Sequence, residues 1–585
     1  MKIEFKIIYS FLFLLIVTAA NGQSDSTLNK EVEVIKAYQP TISDAYKIGT
    51  NPLINDTITY SPTFEYRIFS KEVPIEKNIN HLPVVTLGAP PRIKSNMGYV
   101  KGGFGNWLTP YAELVVNTSP SRTTDFGLQL FHFSSRPNIK LNNDLKVKAP
   151  YSNTFGRIFA KNYFRKSVME WEINYHRKGF NYYGFPLTDS INYIKNQASS
   201  ATLDEKQALN TASANFKLKN TNARAKLDYT LNFGYDYFWN MTGQTAHHTE
   251  YDGLYTRRYR NYQILFDSKV EYFLQDSIFH NYENVISNHQ YFHVAIAPHI
   301  YFNKDIYELR AGFNLATIVN ADSTMLWHIS PKIYFIYHPI KGILSLFAGT
   351  DGGFSANNYQ QAVNQNQYID YLTDTKPSNN VIDIYGGFKG KISRKLSYLF
   401  DVHYEMVKDE AVYYLYQENI NGNIFLDNLF RTTYDDINTL TFGGNLRYSS
   451  PGFLMELKGN YYLYSAKNLA TILAYRPDFN ISLNTLIPVT KQIKATISGE
   501  ITGPRTAYIV SDNTSVTSSS TTYSTTNSPY DLKTILNVNL GAEYIYTKNI
   551  GFSLNAQNIL NQNYEIWQGY NQPGLLIMLG GHYTF

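Results

Sequence analysis

The sequence predicts an all-β protein: one large antiparallel transmembrane β-barrel of about 22 strands, built from most of the chain. Three observations predict it. Aromatic residues make up 15 % of the 585 residues, with 50 Tyr and 35 Phe, while charged residues are only 17 %, below the roughly 25 % of an ordinary soluble domain. Mean hydropathy is −0.31, too polar for a bundle of membrane helices. From Asn96 to Phe585, period-two segments alternate with breaks.

The alternation is clearest at Leu227–Tyr237. Leu227, Tyr229, Leu231, Phe233, Tyr235 and Tyr237 fall on one face, and Asp228, Thr230, Asn232, Gly234 and Asp236 on the other. Phe292, Val294, Ile296, Pro298 and Ile300 oppose His293, Ala295, Ala297 and His299 in the same way. Leu396, Tyr398, Phe400, Val402 and Tyr404 oppose Ser397, Asp401, His403 and Glu405; Leu536, Val538, Leu540, Ala542 and Tyr544 oppose Asn537, Asn539, Gly541 and Glu543. A soluble β-sandwich array also alternates, but a face carrying Asp, Glu, Lys and His would ruin its core. A water-filled lumen accepts such a face, and Tyr at the apolar ends suits an aromatic girdle.

The breaks alternate in length, as outer-membrane barrels with short periplasmic turns and long external loops require. Short breaks fall at Ser119–Arg122, Arg165, Asn220–Ala223, Asn303–Asp305, Pro339–Gly342, Ser393–Lys395, Ser450–Gly452, Pro488–Lys491 and Lys548–Asn549. Long ones fall at 135–151, 179–209, 274–287, 319–325, 351–378, 408–436, 464–472, 502–530 and 558–575. The order fails between Trp239 and Phe273; a weak strand near Gly243–Tyr251 restores it and gives about 22 strands, with about 20 left open. This arrangement predicts both barrel ends in the periplasm. The Ser/Thr-rich run Ser511–Ser528 is expected to be a surface loop.

The N-terminus reads as a secretory signal peptide over 1–22. Lys2 and Lys6 precede the apolar run Ile7–Ala20, and Ala20-Asn21-Gly22 leaves Gln23 as the mature start. About 14 apolar residues are too few to span a bilayer comfortably. Residues 23–95 are rich in Pro and Asn and are expected to be an extended periplasmic or lumenal segment, because Pro lacks the N–H that a sheet ladder needs. The barrel is expected over 96–585, in the outer membrane of a Gram-negative bacterium.

The tail Gln557-Asn-Ile-Leu-Asn-Gln-Asn-Tyr-Glu565, followed by Gly569-Tyr-Asn-Gln-Pro-Gly574, resembles the C-terminal signature of TonB-dependent receptors. The closing strand Leu575–Phe585 ends in Tyr583 and Phe585, which resemble the signal read by the barrel-assembly machinery. Leu575 departs from the Arg that usually follows Pro-Gly in that family. The resemblance implies a transporter or channel for an unidentified solute, and a TonB-type partner. The family's plug motifs are missing from 23–95, which is shorter than a full plug. Val34–Asp44 resembles the N-terminus of a plugless set of these barrels. Within Glu31–Lys36, Val32, Val34 and Ile35 fit a TonB box, or equally a strand that pairs with the barrel or a partner. The alternative function is therefore a plugless structural or accessory subunit of an outer-membrane complex.

Catalytic signals are weak. Gly-Lys-Thr, Gly-x-Ser-x-Gly and His-Glu-x-x-His motifs are all missing, and zero Cys removes thiolate chemistry. His247 and His248 adjoin in an expected loop, where neighbours point apart. His293 and His299 share a lumenal face but lie roughly 20 Å apart along a strand, too far to hold one ion. Asp228, Asp236, Asp401 and Glu405 are read as lining a polar lumen. The sequence thus predicts neither an enzyme nor a bound cofactor or metal. Its expected partners are outer-membrane lipid and lipopolysaccharide, the barrel-assembly machinery, and a periplasmic or TonB-type protein meeting 23–95. A net charge of +5 implies no nucleic acid.

Overall fold

The computed structural model describes residues 97–585 apart from 119–120, 122, 143, 145, 185–205, 223–224, 278–288, 371–372, 374, 421–422, 468–473 and 517–520. The signal peptide expected over 1–22 and the segment 23–95, including Val32, Val34 and Ile35, lie outside the described residues. From Gly98–Gly105 to Leu576–Thr584, 22 strands follow one another around a closed ring. Each is antiparallel to its neighbour, and the first pairs with the last from Tyr99↔Thr584 to Gly105↔Met578. Phe585 completes this seam: its carbonyl accepts from Met97 N at 2.7 Å and Gly98 N at 3.1 Å, and its N–H donates to Gly98 O at 2.9 Å. Closure leaves the ring without open edges, which hydrocarbon cannot hydrate.

The side-chain alternation follows the sequence. Leu227, Phe233, Tyr235, Phe292, Ile300, Phe400, Val402, Leu536, Leu540 and Tyr544 are exposed on the outer face. Their neighbours Asp236, His293, His299 and Asp401 turn inward. Turns at one end are short, as between Lys304 and Tyr307 or Ser450 and Phe453, and connections at the other reach their longest between Thr502 and Ile535.

The weak strand is real and longer than expected, spanning Gln244–Arg258. It pairs residue for residue with Leu227–Asn240 and Gln263–Ser277. This corrects the placing of His247 and His248 in a loop. Their strand was faint because its outward positions include Thr245, His247 and Thr249 rather than aliphatics. His247 compensates by packing beside Tyr237, ring centroids 4.9 Å apart, with Nδ1 2.8 Å from the Tyr235 hydroxyl.

Three expected loops are also corrected. Residues 408–436 are mostly strand, because Leu396–Ile420 and Asn423–Ser450 form one hairpin extending beyond the ring. The connection at 319–325 is a tight turn with Ser323 at φ 62. The Ser/Thr-rich run belongs to the hairpin Arg505–Val516 with Thr521–Leu532, whose first strand lies parallel to the 415–420 extension. A Thr-rich polar strand satisfies its backbone by pairing without an apolar face, so periodicity does not reveal it.

Candidate functional site

The inward face is a wall of paired charges. Lys161 Nζ lies 2.7 Å from Glu170, Lys332 Nζ 2.8 Å from Asp267, and Arg258 3.0 Å from Asp228. Arg157 grips Glu172, and Arg476 holds Glu410 at 2.5 Å. His403 lies between Asp401 at 3.1 Å and Asp383 at 3.5 Å. The pairing answers the cost of leaving charge beside a low-dielectric wall. A lumenal cavity of about 610 Å³ opens on this wall, lined by Asp125, Lys161, Glu170, Lys217, Asp236 and Glu250, among others.

At the end bearing the long connections, the chemistry reverses. Phe180, Tyr183, Tyr359, Tyr368, Phe430 and Tyr570 are buried in one apolar cluster, joined by Leu141, Phe238, Phe273 and Leu429. These side chains come from hairpins spread around the ring. Phe180 ends Ser167–Asn181, the fifth ring strand, while Tyr368 belongs to the connection after the thirteenth. Their rings nevertheless meet with centroids 5.7 Å apart, so the cluster crosses a mouth that 22 strands make about 40 Å wide. Tyr368 stacks on Tyr570 at 3.5 Å, Tyr183 meets Tyr570 at 5.1 Å, and Phe430 packs on Trp567 at 5.5 Å. Such pairs contribute about 0.5–1.5 kcal/mol each beyond their burial. Among the described residues the cluster forms an aromatic layer, here termed the lid, at this end of the ring.

Two elements carry it. The helix Tyr359–Gln365 starts from Asn358, whose side chain accepts from Gln361 N at 2.8 Å while the Gln361 side chain accepts from Asn358 N. This reciprocal cap lets a very short helix persist and buries Tyr359, Ala362 and Val363. Beyond it, Asp370 N donates to Phe430 O at 2.7 Å, and Arg431 Nε donates to the Asp370 carboxylate at 3.1 Å. The second element is the small hairpin Glu565–Trp567 with Tyr570–Asn571, turning at Gly569 with φ 80. Arg505 donates to Ile566 O at 3.0 Å and Glu565 O at 2.6 Å, pinning the hairpin from outside the ring. Between lid and lumen lies a cavity of about 800 Å³, reached by Trp107, Tyr183, Gln367, Asn539 and Trp567.

The tail signature builds the base of this hairpin. Asn558 and Asn561 both have φ 49, a conformation that Asn tolerates better than most residues. Asn558 Nδ2 donates to Gln562 O and Pro573 O, and Asn561 Oδ1 accepts from Leu575 N at 2.9 Å. The residues that carried the resemblance are thus the ones that fold the last connection. Tyr583 is exposed on the outer face, and its ring stacks on Phe585 at 6.2 Å.

The structure separates the histidines as the sequence predicts. His293 Nδ1 donates to the Glu271 carboxylate at 2.7 Å, while His299 lies 3.7 Å from Asp267. Asp228, Asp236 and Asp401 take basic or imidazole partners on the wall. Sequence reasoning missed the lid. Phe180, Tyr183, Tyr359, Tyr368, Phe430 and Tyr570 sit inside segments that read as loops, where no period marks an aromatic side chain as buried.

No protein-family model matches the chain, and no curated protein matches it. Solved structures do. The FrpB iron transporter from Neisseria meningitidis (F3-3 variant) is similar with a TM-score of 0.62 at 10 % identity, covering 84 % of this chain and 82 % of that one. The copper transporter OprC gives 0.61 at 11 %, covering 84 % and 80 %. The siderophore receptor PirA from Acinetobacter baumannii gives 0.60 at 10 %, covering 84 % and 81 %. At such identities the likeness is one of fold, and the tail signature had implied the same fold. The chain folds as a closed β-barrel of 22 antiparallel strands, the fold it shares with these outer-membrane transporters and receptors.

Proposed function

We propose that this barrel is a transporter for a polar solute, with the aromatic lid as its outer gate and the charged wall as its path. The observation that carries the reading is the contrast between the two: an apolar core spans the mouth above a lumen lined by ion pairs. A wall of fixed, paired charges replaces part of a solute's hydration, while a packed lid withholds the path until it opens. The long connections face outward and both barrel ends face the periplasm. Val32, Val34 and Ile35 are the candidate contact for a TonB-type or other periplasmic partner. Tyr583 and Phe585 serve assembly into a membrane of lipid and lipopolysaccharide.

The test is planar-bilayer conductance of the full chain beside a variant lacking the hairpin 565–571. Quiet bilayers for the full chain and open steps for the variant are expected. Equal conductance from both would remove the gate.

A second reading, a subunit of an outer-membrane complex, is favoured by the same packed mouth, because a receptor that captures solute needs an open vestibule. Affinity purification after mild detergent extraction should then yield a stoichiometric partner; a clean monomer contradicts it.

A further inference from the structure

One cluster of ion pairs on the wall leaves an imidazole nitrogen without a hydrogen-bond partner. His248, on the strand Gln244–Arg258, points inward beside Glu250 on the same strand and Glu271 on Gln263–Ser277. One ligand-type atom from each lies within 4.8 Å of the other two. His248 Nε2 faces Glu271 Oε1 at 3.9 Å, is buried, and has no hydrogen-bond partner. Ligands of a tetrahedral ion with bonds near 2.1 Å sit about 3.4 Å apart, so a small side-chain rotation closes the set.

The surroundings match a cation. Asp236 Oδ2 lies 3.5 Å from His248 Nδ1, the position from which a carboxylate orients an imidazole whose other nitrogen binds metal. His293 Nδ1 sits 2.7 Å from Glu271 Oε2, on the oxygen away from the cluster, and its side chain is 4 % exposed. The carboxylates of Asp236, Glu250, Asp252 and Glu271 gather here; Lys269 Nζ lies 2.8 Å from Glu271 Oε1, and of the cavity's other cations, Arg157, Lys161 and Lys217, the first two pair with Glu172 and Glu170. Asp236, Glu250 and Asp252 line the 610 Å³ lumenal cavity, which gives an ion its entry. All the donors stand on adjacent, fully paired strands, so the site is held rigidly.

We propose that His248 Nε2, Glu250 and Glu271 bind one divalent transition-metal cation on the lumenal wall beneath the lid. One imidazole with two carboxylates suits Zn²⁺ and its borderline neighbours over Ca²⁺ or Mg²⁺, which prefer all-oxygen shells. The ion displaces Lys269 from Glu271. This inference goes beyond the transport reading and stands or falls without it.

The experiment is titration calorimetry of the chelator-stripped full chain in detergent with Zn²⁺ alone, and with Ca²⁺ as the contrast. One saturable Zn²⁺ site is expected and none for Ca²⁺. His248→Ala and Glu271→Gln should weaken it at least about tenfold, and Asp236→Asn by about 10–100-fold. Asp125→Asn, in the same cavity but bonded to Tyr163, should leave it unchanged. Lys269→Gln, which frees Glu271 Oε1, should tighten it several-fold, so the idea is testable even where a loss variant folds poorly. No saturable Zn²⁺ binding, or equal affinity in wild type, His248→Ala and Lys269→Gln, overturns it.

Discussion

Glu565 shows how single residues set the lid. Burial pushes its carboxyl above the ordinary carboxylate range, against the opposing pull of Gly569 N–H, Tyr530, Asn142 and Arg505. A carboxyl raised on folding favours the protonated folded form. Its contribution to the lid is therefore full below the ordinary carboxylate range and is lost as pH rises through the raised value. Acrylamide quenching of Trp567, which shares its hairpin, should increase between acid and neutral pH in wild type and stay flat in Glu565→Gln. The same slope in both would refute the assignment. Phe430 is 0 % exposed and touches Tyr475, Trp567 and Tyr570. Phe430→Ala should cost about 3–5 kcal/mol locally, seen as faster proteolysis of the long connections while the barrel strands stay intact; unchanged proteolysis would mean the lid does not depend on this core.

At the scale of elements, the closing seam is the most exacting contact. Gly102 and Gly103 face Gly581 and Gly580 across it. A Cβ at Gly103 would lie 2.7 Å from Leu579 O, so Gly103→Val must part the backbones, at about 1–3 kcal/mol. The compact barrel form on an unheated denaturing gel should disappear at lower temperature than for wild type; an unchanged transition would place the seam elsewhere. Elements also mark the boundary of what was legible. Strands with aliphatic outer faces, such as Ile535–Ile545, declare themselves by alternation. Gln244–Arg258 did so faintly, because His247 and two Thr hold its outward positions. The hairpins at 408–436 and 505–532 did not: the first buries Val412, Tyr413, Leu415, Leu429 and Phe430 against other connections instead of presenting a period-two outer face, and the second is rich in Ser and Thr.

At the scale of the whole molecule, the ring and its strand number were legible, because closure forces an alternation of turns and loops that a sequence displays. The wall charges Asp228, Asp236, His293, His299 and Asp401 were placed by the same argument. The lid was not, because its aromatic contacts join hairpins far apart in sequence, and long-range packing leaves no local period. The grouping of His248 with Glu250 and Glu271 was hidden for a related reason: it depends on the register between two strands. Gating by the lid is the central claim, and single-channel recording of the full chain with and without paired Tyr368→Ala and Tyr570→Ala substitutions tests it most directly. The variant should open in discrete steps while wild type stays quiet. Steady conductance of the same size from wild type would contradict the account.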